Sequence, residues 1–186
     1  MSTPLWHLPQ LSGRLVELQS SGSTAALTLA FRIVLDAQLQ GEPVAWITGR
    51  SSLFFPPDVA AGGVDLAALA VVRLPSPDDI VRAADLLARS GAFALLVLDL
   101  GHGARVPLPL QTRLLGLARK HDTAVLCLTQ ARSGTSPLGS LVSLRGETWR
   151  RRSAPGAFSC GIDVVKDKRR GLWKHVEVCR GPAGLR

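Results

Sequence analysis

The chain has 186 residues, which is enough for one α/β domain with a buried core and short for two. No apolar stretch reaches the ~18 residues of a membrane span and no secretory signal opens the chain, so we expect a cytoplasmic protein without a membrane segment. The net charge is +8, and the whole excess falls in residues 123–186, where twelve Lys and Arg face four Asp and Glu. A basic surface of this kind favours a polyanionic partner such as nucleic acid or an acidic protein face, and the alternative is a solvated face without a partner.

Cysteine and histidine usage argues against a metal site. Cys127, Cys160 and Cys179 form no CxxC pattern and lie in strand-like runs, and the four histidines are scattered. We therefore expect buried thiols rather than disulfides or zinc ligands, and we predict no cofactor.

The first 122 residues alternate between strand and helix patterns. Residues 14–19 predict a strand and a Ser/Gly turn, after which apolar residues recur at helical spacing from Thr24 to about Gln40. An apolar run without alternation at 93–100 suits a parallel strand buried on both faces and ends near Asp99. The remaining predicted elements are strands at 43–48, 68–74 and 123–130 and helices at 76–91 and 108–122.

The pattern changes after Gln130. A flexible loop is expected at 131–139, and three alternating segments at 140–153, 157–168 and 171–181 predict successive antiparallel strands. Together these patterns predict one α/β domain over 1–186: a mostly parallel sheet flanked by helices, with antiparallel strands at its C-terminal end. Residues 1–12 are expected to be an N-terminal extension, and 181–186 a C-terminal tail.

Four segments resemble the RecA recombinase core, and the resemblance implies a RecA-like fold. GRLVEL (13–18) is similar to the strand before the family's phosphate loop, and LARSGAFALLVLD (87–99) to the helix and Walker B strand. LTQAR (128–132) is similar to the strand end that carries a nucleotide-sensing glutamine. The stretch IDVVKDKRRGLWKHVEV (162–178) is similar to the one whose paired lysines reach the neighbouring subunit's ATP.

The phosphate loop itself departs from the family pattern. A working loop reads GxxxxGK[ST], in which lysine contacts the β and γ phosphates and Ser or Thr holds magnesium. Here the opening glycine segment is replaced and shortened, and Ser23 stands at the lysine position. The resemblance thus implies a vestigial site without a functional cofactor, and its residues are Ser20, Ser21, Gly22, Ser23, Thr24, Asp99 and Gln130.

A third departure concerns the catalytic base. AWITGRSSL (45–53) is similar to the strand end where the family carries a water-activating glutamate, and Arg50 or its neighbours stand there. Arginine keeps its proton and cannot act as a general base. Asp99 is then either a strand-end residue held by backbone amides or a residual metal ligand, and Thr24 is a helix N-terminal residue with Ser20 or Ser23 as the cap.

Among RecA-like proteins the degenerate core most resembles the ImuA group. That resemblance implies an ATP-independent, non-enzymatic accessory protein of the SOS DNA damage response and translesion mutagenesis. Its implied partners are single-stranded DNA, RecA, and two polymerase-type proteins of mutagenesis, ImuB and DnaE2. Two alternatives remain open: a divergent DNA-dependent ATPase in which Arg14, Arg50 or a neighbouring subunit's lysine replaces Ser23, and a SulA-like cell-division inhibitor that acts on FtsZ.

For DNA contact we predict the loop after Gln130 and five arginines, because a positive groove tracks phosphates without sequence preference. They are Arg132, Arg145, Arg150, Arg151 and Arg152. Trp149 precedes three of them and either stacks on a base or belongs to the core. Strand alternation sends Arg150 and Arg152 to one face and Arg151 to the other, so the three line one groove only if the segment is a loop.

A second basic cluster is predicted to contact a partner or DNA: Lys166, Lys168, Arg169, Arg170 and Lys174. The resemblance implies that Lys166 and Lys168 dock against the nucleotide of an active RecA protomer. The alternatives are a solvated turn between two strands and a second DNA contact.

Overall fold

The computed structural model of this chain describes residues 6–20, 25–49, 54–102, 105–130, 138–154 and 157–180. Its elements alternate along the chain in the predicted order, ending in three successive strands. The strands are β1 (Leu15–Ser20), β2 (Val44–Gly49), β3 (Leu69–Leu74), β4 (Leu95–His102), β5 (Ala124–Gln130), β6 (Leu144–Ala154), β7 (Ala157–Asp167) and β8 (Lys174–Arg180). The helices are α1 (Leu8–Leu11), α2 (Ala26–Leu39), α3 (Pro56–Ala61), α4 (Pro77–Ser90) and α5 (Leu108–His121).

All eight strands form one sheet in the order β3-β2-β4-β5-β1-β6-β7-β8. β1 to β6 all run parallel to one another, and β7 and β8 pair antiparallel with their neighbours. The predicted α/β fold with C-terminal antiparallel strands is therefore confirmed. One detail differs: β6 pairs parallel with β1 as well as antiparallel with β7. We call the sheet edge where the parallel strands end the upper edge and the edge where they begin the lower edge.

Helices cover both faces of the sheet, which explains the apolar strands. α2 packs on one face in a cluster with Val97 and Leu126, and α4 and α5 pack on the other in a cluster with Leu98 and Cys127. Successive strand residues point to opposite faces, so a strand buried on both sides needs apolar residues throughout. The uninterrupted run of β4 is buried in this way from Leu95 to Leu98, as predicted.

Local signals determine where α4 begins and ends. The Ser76 hydroxyl accepts a hydrogen bond from the Asp79 N–H, and Gly91 closes the helix at a φ of 65°. The described part of α2 begins at Ala26, with Ala25 as an N-cap whose side chain forms no hydrogen bond, and the predicted start Thr24 and predicted cap Ser23 lie outside the described residues. The predicted cap Ser20 instead donates its hydroxyl to the Thr129 carbonyl oxygen at 3.2 Å, because it is still part of β1.

Two short helices were not predicted. α1 lies in the expected N-terminal extension and packs against α2: the Trp6 indole donates to the Leu29 carbonyl oxygen at 3.0 Å, and the Leu8 N–H donates to Asp36. α3 interrupts the Pro/Gly-rich stretch after β2, with proline at its first position. Within the described ranges, no helix is long and apolar enough to cross a membrane.

Candidate nucleic-acid interface

The upper edge brings together the residues that resemble a nucleotide site. Ser20 and Gln130 are register partners in neighbouring strands, and Asp99 lies one strand further along. By strand alternation all three face the side of the sheet that α2 covers. One Asp99 carboxylate oxygen accepts a hydrogen bond from the Thr48 hydroxyl at 3.0 Å. The motif residues Ser21, Gly22, Ser23 and Thr24 and the substituted residue Arg50 lie outside the described residues.

Arg14 does not lie at this edge. It precedes β1, whose six residues span about 20 Å, so it sits at the lower edge, a full strand away from Ser20. There its guanidinium donates to Asp167 at 2.5 Å and to the Ser143 carbonyl oxygen at 2.8 Å, in a side chain that is only 2% exposed. Arg14 therefore cannot replace a phosphate-loop lysine in the same chain.

A buried ion pair occupies the middle of the sheet. Glu17 in β1 is fully buried, and its carboxylate accepts from the Arg145 guanidinium at 2.7 Å and from the Thr129 hydroxyl at 3.1 Å. Arg145 lies beside Glu17 in register on β6. The cation predicted to contact DNA is thus bound to a carboxylate within the fold, with 17% of its side chain exposed.

The end of the loop after Gln130 is held by cations. Arg145 donates to the Gly139 carbonyl oxygen at 2.9 Å, and Lys166 donates to the Ser140 carbonyl oxygen, also at 2.9 Å. The Lys168 amine lies 3.5 Å from the Leu141 carbonyl oxygen. Burial, followed by the neighbouring charges of Lys168 and Arg145, lowers the pKa of Lys166. These cations therefore fix the turn at 138–141. The predicted loop residue Arg132 lies outside the described residues.

Arg150, Arg151 and Arg152 lie beyond the part of β6 that pairs with β1. The last β6 residue paired with β1 is Thr148, so residues 149–154 continue past the end of β1 together with β7 and β8. We call this projecting part, residues 149–154, 157–161 and 176–180, the upper ribbon. Arg150 lies 5.1 Å over the Phe158 ring and Arg151 lies 5.0 Å over the Trp149 ring. Because the segment is a strand, Arg150 and Arg152 share one face and Arg151 lies on the other.

The second predicted cluster lies at the opposite end of β7. The Arg169 guanidinium donates to the Ser12 carbonyl oxygen at 3.0 Å, and Lys174 lies 3.6 Å from Asp163. Arg170 is exposed at the turn between β7 and β8. Lys166 is six residues along β7 from Cys160, the register partner of Arg150, so about 20 Å of strand separates these two cations. Lys174 lies closer, two residues along β8 from the ribbon residue Val176, and the other members of the cluster form a surface separate from the ribbon.

Sequence reasoning missed Glu17 and Gly161. Glu17 is the one charged residue of β1, a strand that is buried along its whole length, and a charge in such a strand is the signal that a buried partner exists. Gly161 pairs with Trp149, and a Cβ at that position would lie 2.3 Å from Trp149 Cζ2. No sequence pattern indicates that contact.

Cysteine placement follows the expectation only in part. Cys127 and Cys160 are buried, and Cys179 in β8 is half-buried; all three are free thiols. Within the described ranges, no group of three or more His, Cys, Asp or Glu side chains is placed to hold a metal ion.

The fold is consistent with a RecA-like core. The chain is 31% identical to protein RecA of Bifidobacterium breve over 150 residues, 74% of this chain and 36% of the relative. It is 32% identical to protein RecA of Frankia casuarinae over 139 residues, 68% of this chain and 38% of the relative. With protein RecA of Fusobacterium nucleatum the identity is 36% over 87 residues, 47% of this chain. These similarities support a place in a RecA-like family.

The chain spans less than two fifths of the length of these relatives, from 23% to 38%. No family model matches it.

Proposed function

We propose that this chain is an ATP-independent, RecA-like accessory protein of the DNA damage response that binds single-stranded DNA through the upper ribbon. In the ImuA-type role that its sequence resembles, it would work with RecA and with ImuB-type and DnaE2-type polymerase proteins in translesion mutagenesis. The similarity to RecA proteins supports the DNA-related role, and the distribution of paired and unpaired cations supports the surface.

The observation that carries the proposal is the state of the arginines in the upper ribbon. Residues 148–162 contain three arginines and no Asp or Glu. Among the described residues, no carboxylate forms an ion pair with Arg150, Arg151 or Arg152, and two of them lie over aromatic rings instead. Arg14, Arg145 and Lys174, by contrast, each have a carboxylate partner. Within the described residues the ribbon arginines have no competing carboxylate, so they can meet phosphates.

Independence from ATP rests on the residue types at the upper edge. Serine at the lysine position removes the charge that would meet the β and γ phosphates, where charge-assisted contacts are strongest. Arg14, one candidate replacement, is bound to Asp167 at the other edge. The test is calorimetric titration with millimolar Mg-ATP, with and without single-stranded DNA, while turnover is followed in parallel. Saturable binding or hydrolysis would favour the divergent ATPase instead.

DNA binding is tested by the salt dependence of affinity. Replacing Arg150, Arg151 and Arg152 with Gln should weaken binding to single-stranded DNA and reduce the slope of log K against log salt by about 2, since each phosphate contact contributes about 0.7. Arg82, Arg119 and Lys120, exposed cations on α4 and α5, provide a control of equal charge. An equal loss in this control variant would show that net charge rather than the ribbon is responsible.

Docking on RecA would use the lower-edge surface. Lys166 lies about 20 Å along β7 from the register partner of Arg150, and Lys168 lies beyond the end of that strand, so the two contacts are separable by mutation. Replacing both lysines with Gln should abolish an effect on RecA filaments and leave DNA binding in place. Equal loss of both activities would contradict docking, and binding to FtsZ without DNA binding would favour the SulA-like alternative.

A further inference from the structure

We propose that Trp149 is a base-stacking platform, so that the upper ribbon binds the bases of single-stranded nucleic acid as well as its phosphates. This inference rests on the proposed function and adds a second type of contact to the same surface. It concerns the face of β6–β8 opposite α2, where Arg151 rather than Arg150 and Arg152 is presented.

The first observation is the position of the tryptophan. Trp149 is half-buried and belongs to neither of the two buried clusters that the described residues form. Its ring packs across Gly161, and this close approach requires a residue without a side chain. The contact holds a large flat aromatic surface against the sheet at a position that is not part of the core. An aromatic held rigidly in this way loses little conformational freedom when it binds a planar ligand.

The second observation is the chemistry around the ring. The Arg151 guanidinium lies over the ring, 5.0 Å from its centre, so a base stacks on the ring by taking the place of the guanidinium, which then meets the adjacent phosphate. On β8, Val176 and Val178 are 54% and 69% exposed and follow the same face by strand alternation. The surface is therefore apolar and aromatic next to a cation, which is the composition that binds single strands without sequence preference.

The third observation is where the surface ends. Two residues below Trp149 and Gly161, Glu147 and Asp163 pair across the same face, and Lys174 lies 3.6 Å from Asp163. Carboxylates repel phosphates, so a polynucleotide is confined to the part of the face above this row. An acidic peptide could also pair with Arg151, but it has no planar bases to stack on the Trp149 ring. The ring favours a ligand with bases.

The decisive experiment compares two ligands on the unmodified chain at low salt: an oligo-dT single strand and an abasic deoxyribose-phosphate strand of the same length. A stacking platform predicts that the abasic strand binds about tenfold more weakly. Equal affinity for both would overturn the platform while leaving phosphate binding by the ribbon intact. Failure to bind either strand would overturn the proposed function together with the platform.

Variants locate the effect on the ring. Trp149→Leu should lose affinity for oligo-dT and keep that for the abasic strand, while Trp149→Phe, which retains an aromatic plane, should recover most of the loss. A 2-aminopurine base in the strand should be quenched by the unmodified chain and not by the Leu variant. Equal loss for both strands in Trp149→Leu, or a Phe variant no better than Leu, would assign Trp149 a purely structural role. Competition by poly-glutamate as effective as that by oligo-dT would indicate an acidic peptide as the ligand.

Discussion

Arg14 and Asp167 form an ion pair 2.5 Å long at the lower edge, with side chains only 2% and 1% exposed. Asp167 also accepts hydrogen bonds from the Trp173 indole N–H at 3.0 Å and the Arg169 N–H at 2.9 Å. The pair thus joins the residue before β1 to the end of β7, next to the turn between β7 and β8. A buried charge that has lost its partner is costly, so this contact holds the C-terminal strands in place.

Replacing Asp167 with Asn should lower the free energy of unfolding by about 3–5 kcal/mol, because it leaves the Arg14 charge buried without a counter-charge. Urea denaturation gives the value. Asp163→Asn is the matched control: its pair with Lys174 is partly exposed and should contribute less than about 1 kcal/mol. Similar losses in the two variants would contradict a special role for the buried pair.

The stabilisation from Asp167 should depend on pH in the acid range. Burial raises the pKa of Asp167, but hydrogen bonds from the Arg169 N–H, the Trp173 indole and Arg14 outweigh that effect and leave the pKa below its usual value. The contribution is therefore present above the unfolded pKa of about 3.9 and is lost as pH falls through the lower folded value. Unfolding curves at neutral pH and near pH 3 should show the difference between the parent and Asp167→Asn narrowing in acid. A difference that is constant with pH would contradict this.

Removing one charge of the Glu17–Arg145 pair should lower the free energy of unfolding more than removing both charges. Glu17→Leu and Arg145→Met each leave one charge of the pair without the other, at a cost of about 3 kcal/mol or more in unfolding free energy. The double variant Glu17→Leu with Arg145→Met removes both charges and should recover a large part of the loss. A double-mutant cycle measures the coupling. Additive losses would show that the two side chains act independently.

Two glycines should respond in opposite directions to alanine. Gly116 lies within α5, and nothing stands within 4 Å of a Cβ added there, so Gly116→Ala should stabilise the chain by about 0.5–1 kcal/mol through helix propensity. Gly91 has a φ of 65°, and an added Cβ would lie 2.6 Å from His121 Nδ1. Gly91→Ala should therefore be destabilising. Thermal unfolding of the two variants, side by side, tests both signs.

Much of the fold could be predicted from the sequence because the inner parallel strands β1, β2, β4 and β5 are buried on both faces. That burial requires an uninterrupted apolar run, and such runs are visible in β4 and β5. The partner of a strand is not visible in this way. β6 carries the alternation of a half-exposed strand over its first six residues, and the same alternation suits a parallel or an antiparallel neighbour, so its pairing with β1 was missed.

The site was predictable by residue type and less so by environment. The local density of arginine marks residues 145–152, but the sequence does not separate Arg145, which is paired with Glu17, from Arg150, which lies over Phe158. The difference arises from a carboxylate that is 128 residues away in the chain. The alternation of Arg150, Arg151 and Arg152 across two faces, by contrast, depends only on neighbouring residues and was predicted.

The strand order has a consequence for synthesis. β1 is the first strand made, yet both of its neighbours, β5 and β6, come from residues 124–154. Chains leave the ribosome from the N-terminus, and contacts between distant residues form slowly. The nascent β1 therefore has no strand partner until most of the polypeptide has been made. A chain that stopped after β5 would carry Glu17 without Arg145 and would leave one side of β1 open to another polypeptide.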